Sequence, residues 1–539
     1  MIEADAETEA ELREAVRLAK SYAADSFRAE GIENFSTLPR ETFIARCHEG
    51  FHLAQERILK NVLPLQQKLK LLRTDIRKQS KGKKKTEIQR DEAIQKLHKE
   101  EARLLTIEKA FRRVADTIAW QILRFNRVLM RSTHTGHDGG GYLSDSNIAS
   151  AVEATAQLRK PGEFYLINDL TLCLGAGAGD LTWVKIDQSI AFAELKTGVE
   201  NTRILEFLHA YGEKTKEQSV RIEEGNGPRT PEECPVHDLL GANIDLLTDK
   251  SKRKQIERMT RQMERMDAVL EYERTNIGMD ISLTAKGKPI KRNRVAHVSE
   301  TKDEHAFKEI RDALTNASKS EPYFSYLDYG PLLTFFVTDN LKADAFSSGH
   351  SPFVRTMNAK HMIYHHLHPE LGGCRLPRGG KEGGEEFVAY SKLFLLNWTT
   401  QVLGDESVMP PYLMQLGDEL IFDLLFGRRS LYVYFDRAAF AEFVTEAAEG
   451  KFILKPEGPI NHEWAGLTIE VPGAVAKYHP SMLGWGMIFR MLIEFQDPEN
   501  LRRQIVEMVA NDGGLAERIK AAEASSTEEK PKAPSPSRP

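Results

Sequence analysis

Gly179-Asp180-Leu181-Thr182-Trp183-Val184-Lys185-Ile186-Asp187-Gln188-Ser189-Ile190-Ala191-Phe192-Ala193-Glu194-Leu195-Lys196-Thr197-Gly198 is the stretch on which the fold turns. An acid opens one apolar strand, Asp187-Gln188 makes a turn, and a second apolar strand ends in Glu-Leu-Lys. On a strand, residues two apart share a face at roughly 6–7 Å. Glu194 and Lys196 would therefore project together while Leu195 enters the core. In a hairpin, Asp180 comes alongside the end of the second strand. Three charges would then meet at one end of a sheet. Partly burying them is costly unless something compensates. A divalent cation held by the two carboxylates would do so, and hard oxygen ligands suit Mg²⁺ or Mn²⁺.

Working outward, EFYLINDLTLCL (residues 163–174) reads as the strand before this hairpin, with Gly175 to Gly179 as the turn between. Upstream, residues 1 to about 131 read as helical. From Leu104, the positions Ile107, Phe111, Val114, Ile118, Ile122, Phe125 and Leu129 follow at steps of three and four, one face of a long helix. An earlier helix covers about Phe51 to Lys78, with Pro64 as a kink or break. Arg77 to Lys85, with six basic residues of nine, is the turn of an antiparallel helical hairpin. HTGHDGGGY (134–142) is a breaker stretch and a domain boundary. A helix around Asn201 to Ala210 and another over Thr248 to Arg274 follow the hairpin. The stripe Ile256, Met259, Met263, Met266 and Leu270 reads as core packing. Lys286 to Arg294 is a basic stretch read as a loop. Beyond 296, PLLTFFV, SLYVYF, KFILK and GLTIEV are strands, and Ala438 to Ala448 and Asn500 to Ala510 are helices, the first capped by Asp436. A Pro- and Ser-rich tail closes the chain. The expected organisation is α+β and multidomain: a helical hairpin over 1–138, a sheet domain over 139–295, a mixed α/β region over 296–518 and a disordered tail over 519–539.

Composition bounds the function classes. The chain has 539 residues, 41% hydrophobic and 28% charged, with a formal net charge of −5. It is long enough for several cores without disulfides. Its charge balance excludes a uniformly basic nucleic-acid binder, so any such surface must be a local patch. Cys47, Cys173, Cys234 and Cys374 form no CxxC pair, which fits a reducing compartment. The N-terminus is acidic and helical rather than a signal sequence. The longest apolar runs, Leu393 to Trp398 and Pro331 to Val337, fall far short of the ~20 residues of a membrane span. A cytoplasmic protein with no membrane partner is expected.

Gly-Asp opening a strand, followed by apolar-Glu-Leu-Lys-Thr-Gly, resembles the PD-(D/E)XK nuclease superfamily over about residues 144–275. Asp180 matches its first acid, Glu194 and Lys196 its E-x-K, and Gly179 stands in place of its proline. The resemblance implies a restriction-endonuclease-like mixed sheet flanked by helices. It also implies a Mg²⁺- or Mn²⁺-dependent phosphodiester hydrolase acting on nucleic acid, DNA by preference. Asp180 and Glu194 would bind the metal, and Lys196 would orient the attacking water. Restriction, repair or defence against foreign DNA would suit such an enzyme. A helix ahead of the sheet often supplies another acid. Glu153 is the candidate, with Glu163 as its rival. Asp169, read as mid-strand, competes with Asp180. Gln255 and Gln262 match a later helical position. Three other E-x-K triplets, at Glu300, Glu449 and Glu528, do not follow an apolar strand opened by an acid.

Two further features bear on function. Lys250, Lys252, Arg253, Lys254, Arg258 and Arg261 cluster on one helix, as a phosphate-contacting face or as a solvated face with i,i+4 pairs. His361 and His365 lie one turn apart, the spacing of a metal-binding pair, with His368 and Cys374 beyond. No HExxH glutamate and no second cysteine accompany them, so a packed helix containing histidines is the plainer reading. The competing class of function is a non-catalytic nucleic-acid-binding or coiled-coil protein, with Asp180 as a turn residue and Glu194–Lys196 as an exposed ion pair. The N-terminal helices could then mediate homo-oligomerisation.

Overall fold

The computed structural model describes residues 5–84, 86, 91–127, 130, 143, 148–174, 179–193, 195, 199–223, 234, 236–260, 263, 280–283, 289–292, 302–319, 321–347, 351–369, 394–405, 408–457, 466–470 and 485–511. The fold mixes helices with antiparallel sheets. The chain packs as two compact units, one of residues 7–104 and 111–296, the other of residues 1–6, 105–110 and 297–539.

In the first unit, α1 (Ala6–Lys20) and α2 (Tyr22–Ala29) precede α3 (Arg40–Ser80) and α4 (Glu92–Ile122). Helix α3 runs unbroken through Pro64, where a kink or break is expected from sequence, and begins well before Phe51. Val62, Gln66 and Leu69 are buried on either side of the proline, so packing continues across it. Helix α4 is capped by Asp91, whose carboxylate accepts the N–H groups of Ala93 and Ile94. It ends at Ile122, short of the Leu129 that the periodicity suggests, because Arg124 and Phe125 take positive φ. An Arg73–Glu101 ion pair of 2.6 Å joins α3 to α4 as the antiparallel hairpin. Its basic tip is exposed at Lys81 to Lys84.

Next come α5 (Ile148–Leu158), β1 (Phe164–Ile167), β2 (Leu181–Val184) and β3 (Ile190–Ala193), a three-stranded antiparallel sheet in sequence order. Strand β1 is shorter than expected. After Ile167 the chain enters a 3₁₀ turn over Asn168–Leu170, where the apolar run predicts extended strand through Leu174. The cause lies on α4. Arg112 donates to the carbonyls of Asp169, Leu170 and Thr171, and Asp116 accepts the amides of Leu172 and Cys173. Those backbone groups are satisfied by side chains, so the segment needs no partner strand. The open edge of β1 is treated likewise by α3. Gln55 brackets the strand, donating to Tyr165 O and accepting from Ile167 N. His48 Nδ1 and His52 Nε2 lie 2.8 Å and 3.1 Å from the carbonyls of Gly162 and Glu163. Phe164, fully buried, meets the edges of Phe51 and His52.

Helix α6 (Val199–Glu223) is longer than the stretch to Ala210 read from sequence. It packs with α7 (His237–Ala242), α8 (Ile244–Thr248) and a helix over 250–260 around Ile204, Phe207, Leu246 and Met259. Met259 is thus core, as its stripe implies. Met266 and Leu270 lie outside the described residues. Lys291 and Arg292, expected in a loop, lie on β5 (Pro289–Arg292), paired with β4 (Asp280–Leu283).

The second unit holds α9 (Phe307–Asn316), α10 (Pro352–Leu367), α11 (Trp398–Gly404) and α12 (Asp418–Leu425) with a four-stranded antiparallel sheet. Its order is β6 (Phe324–Tyr329), β7 (Leu333–Asp339), β9 (Arg429–Phe435) and β8 (Leu395–Asn397). β7 is buried along its whole length, in keeping with its apolar run. Phe336 and Tyr432 pack with Phe346, Ala359 and Ile363. The expected strands of KFILK and GLTIEV form the hairpin β10 (Ile453–Pro456) and β11 (Leu467–Glu470). Helix α13 (Arg437–Ala447) is capped by Asp436, in line with its sequence. Helices α14 (Trp485–Ile493) and α15 (Pro498–Asn511) complete it. Among the described residues, Cys47 and Cys173 are free thiols. Among the described residues, no helix is long and apolar enough to cross a membrane.

The side chains that α3 and α4 turn toward the sheet can be tested for their part in stability. Arg113 and Asp116 are fully buried and paired at 2.7 Å. Asp116→Ala should lower the unfolding free energy by ~3–5 kcal/mol, because it strands a buried guanidinium and two amides. A loss below about 1 kcal/mol in urea titration would contradict this role. Burial holds the His48 and His52 imidazoles below the usual ~6.5, against the opposing carbonyl contacts. The unfolded chain therefore takes up protons first as pH falls. Stability from these two residues is full above about pH 6.5 and lost below it. The urea midpoint should drop from pH 7.5 to 5, and His48→Gln/His52→Gln should flatten the drop. An equally steep drop in that double variant would refute the assignment.

Candidate active site

The β2–β3 hairpin positions Asp180. Leu181 pairs with Ala193, Thr182 with Phe192, Trp183 with Ala191 and Val184 with Ile190. The turn is made by Lys185 to Ser189, with Gln188 at φ +64° and Ser189 N donating to Asp187 Oδ1. The hydroxyl and amide of Ser189 hold the exposed Asp187 carboxyl below its ordinary value. At the open end, Asp180 N donates to Ala193 O at 2.9 Å. Asp180 Oδ2 accepts the N–H of Leu195 at 2.6 Å. The backbone on either side of Glu194 is thereby fixed against Asp180. Glu194 and Lys196 themselves lie outside the described residues.

Asn168 organises this end of the sheet. Its N–H donates to Asp180 O at 3.0 Å, and its Nδ2 to Gly179 O at 3.0 Å. Its Oδ1 accepts the Thr182 hydroxyl at 2.7 Å. Gly179 has φ +69°, a value closed to proline, whose ring fixes φ near −65°. The turn built here thus favours a glycine at 179 and excludes a proline. Sequence reasoning misses Asn168. Its signal is an Asn-Asp pair inside an otherwise apolar run, where strands disfavour both.

The other acids fall into separate places. Glu163, the rival for the additional acid, sits beyond the start of β1, at the opposite end of the sheet. The four residues of β2 lie between its level and Asp180, five residue steps or about 16 Å. Its Oε2 accepts the Tyr165 hydroxyl at 2.8 Å and the Trp183 indole N–H at 3.1 Å. Burial, then this carboxylate, push the Tyr165 phenol up to about 12. Glu163 is thus a support for the stacked Tyr165–Trp183 pair. Glu153 is exposed on α5, which buries Ile148 and Ala151, and its carboxylate accepts from Gln157. Asp169 is not mid-strand, as expected, but in the 3₁₀ turn directly after Asn168. It therefore lies at the Asp180 end, half-buried.

The basic helix divides into two faces. Lys252 turns inward and bonds Glu200 at 2.8 Å and Asp245 at 3.2 Å. Arg203 grips Asp245 with both terminal nitrogens. These cations hold the Asp245 carboxyl far below its ordinary range. Lys252, expected from sequence as a phosphate contact, is engaged here by two acids of its own helical cluster. Gln255 donates to Asn201 at 3.0 Å, which assigns it to packing as well. Lys250, Arg253, Lys254 and Arg258 are exposed. Arg261 and Gln262 lie outside the described residues.

His361, His365 and His368 lie on or at the end of α10, and Cys374 is outside the described residues. Among the described residues, no three His, Cys, Asp or Glu side chains are grouped so as to hold a metal ion. Comparison with family models, with curated proteins and with solved structures returns no match.

Proposed function

We propose that the chain is a metal-dependent phosphodiester hydrolase of the PD-(D/E)XK type, acting on DNA. The observation that carries this reading is the clasp between Asp180 and the two residues flanking Glu194, Ala193 N-terminally and Leu195 C-terminally. A carboxylate and an E-x-K segment held together at the mouth of a β-hairpin are what the reaction needs. The order helix, three antiparallel strands, helix around it also supports the reading.

Asp180 suits a hard cation. A carboxylate has about four acceptor positions, so accepting the Leu195 N–H is compatible with ligating an ion as well. With Glu194 it would hold Mg²⁺ or Mn²⁺, which supplies polarisation of the phosphoryl oxygen and acidifies a bound water. Lys196 would orient the attacking water and offset the charge that grows on phosphorus oxygens. Water adds to phosphorus, the P–O bond to the leaving sugar oxygen breaks, and that oxygen takes up a proton. Asn168 acts as a positioning residue through Gly179 and Asp180. The exposed Lys250, Lys254 and Arg258 follow one face of their helix over about 12 Å. They offer phosphates a solvent-facing cationic track, Lys252 being taken by acids.

The test is cleavage of plasmid and linear DNA with Mg²⁺ or Mn²⁺, with EDTA as control. Asp180→Asn, Glu194→Gln and Lys196→Ala should each slow cleavage by ~10²-fold or more. Lys254→Ala/Arg258→Ala should weaken binding on all sequences and reduce its salt dependence by roughly one unit of slope for each cation removed. DNA binding without cleavage under every metal condition, unchanged by the three site substitutions, would select the non-catalytic class instead.

A further inference from the structure

Helix α10 carries several histidines, and the fold gives them different work. His366 is accounted for. Its Nε2 lies 2.8 Å from Asp328 Oδ2, and its ring lies flat on Tyr326 with centroids 3.8 Å apart. His368 rests against the Tyr364 ring at 4.8 Å. His361 and His365, one turn apart, meet edge to face with centroids 4.4 Å apart. His361 Nδ1 and His365 Nε2 are both closed off from solvent, and neither has a hydrogen-bond partner among the described residues.

A buried ring nitrogen without a partner is costly, and two on adjacent turns ask for one occupant that serves both. Neutral imidazole offers a lone pair on one nitrogen, as acceptor or metal ligand. We propose that His361 and His365 form a two-histidine site for a borderline transition-metal ion, Zn²⁺ foremost, with Cu²⁺ and Ni²⁺ as competitors. The i,i+4 spacing places two ring nitrogens on one helix face, as in helical zinc-binding pairs. Imidazole selects these ions over Mg²⁺, so the site is chemically separate from the one proposed at Asp180. No third His, Cys, Asp or Glu joins the pair among the described residues.

The full chain, freed of metal by chelation, is titrated with ZnCl₂ by calorimetry, alone and in excess Mg²⁺. Saturable binding, unaffected by Mg²⁺ and at least tenfold weaker in His361→Gln and in His365→Gln, supports the proposal. His237→Gln, an exposed histidine elsewhere, should bind as the parent does. Circular dichroism checks that the variants fold. Where they do not, imidazole ¹⁵N spectra of the parent chain decide: two ring resonances moving together with Zn²⁺ support the site, and none moving overturns it. Zn²⁺ binding of equal strength in His361→Gln/His365→Gln, or no saturable binding in the parent, also overturns it and leaves a trapped water as the partner of both nitrogens. Neither result bears on DNA cleavage, because the Asp180 site is read out with Mg²⁺.

Discussion

On the side away from β2, the backbone of residues 162–173 is held by helix side chains rather than by a further strand, and the sheet depends on that arrangement. A strand of four residues brings few ladder bonds of its own. Its far edge would leave carbonyls and amides unpaired in an apolar setting, at about 1–3 kcal/mol for each buried group left unsatisfied. Gln55 behaves as a surrogate residue of a fourth strand, accepting and donating at the spacing of alternate positions. His48 and His52 continue that row along α3, and Arg112 and Asp116 take over from α4 where the chain leaves the strand. The edge is thereby closed to other chains as well.

The same arrangement accounts for where Asp180 sits. Asn168 occupies the junction at which β1 gives way to the α4-bound turn, and it ties both sides of Gly179-Asp180. The placement of Asp180 is therefore inherited from a buried ion pair on α4, several residues removed from any proposed chemistry. Functional groups are held accurately when their supports are themselves immobile. Arg113 and Asp116, with no exposed surface, meet that condition. A short sheet alone would not.

Much of this is legible in the sequence. The α+β class, the helical hairpin, the β2–β3 turn at Asp187-Gln188, the Asp436 cap and the buried β7 all follow from periodicity and local chemistry. What escapes has one physical cause. Pattern reading assigns apolar runs to strands because it credits backbone pairing only to other strands. It takes residues 168–174 as extended, since nothing local reveals that Arg112 and Asp116, some sixty positions upstream, satisfy those groups. Glu163 is a plausible site acid by position, but its partners, Tyr165 and Trp183, become apparent only once the strand register is known. Pro64 suggests a break because propensity is local, whereas α3 continues through it with buried residues on both sides.

Charge on the 250–260 helix follows a comparable logic. With a net charge of −5 the chain as a whole does not attract a polyanion, so attraction must act within a Debye length, ~8 Å at physiological salt. Within that range, what matters is which cations are already neutralised. Asp245 and Glu200 consume Lys252 and Arg203, and these pairs anchor the helix against α6 and α8. The residues facing away keep their charge for whatever approaches from solvent. A basic run that looks uniform in sequence is thus divided by the helical period into an inner side that pairs with acids of α6 and α8 and an outer side exposed to solvent. The inner acids fix the orientation of the helix, and the helical period then decides which cations face solvent.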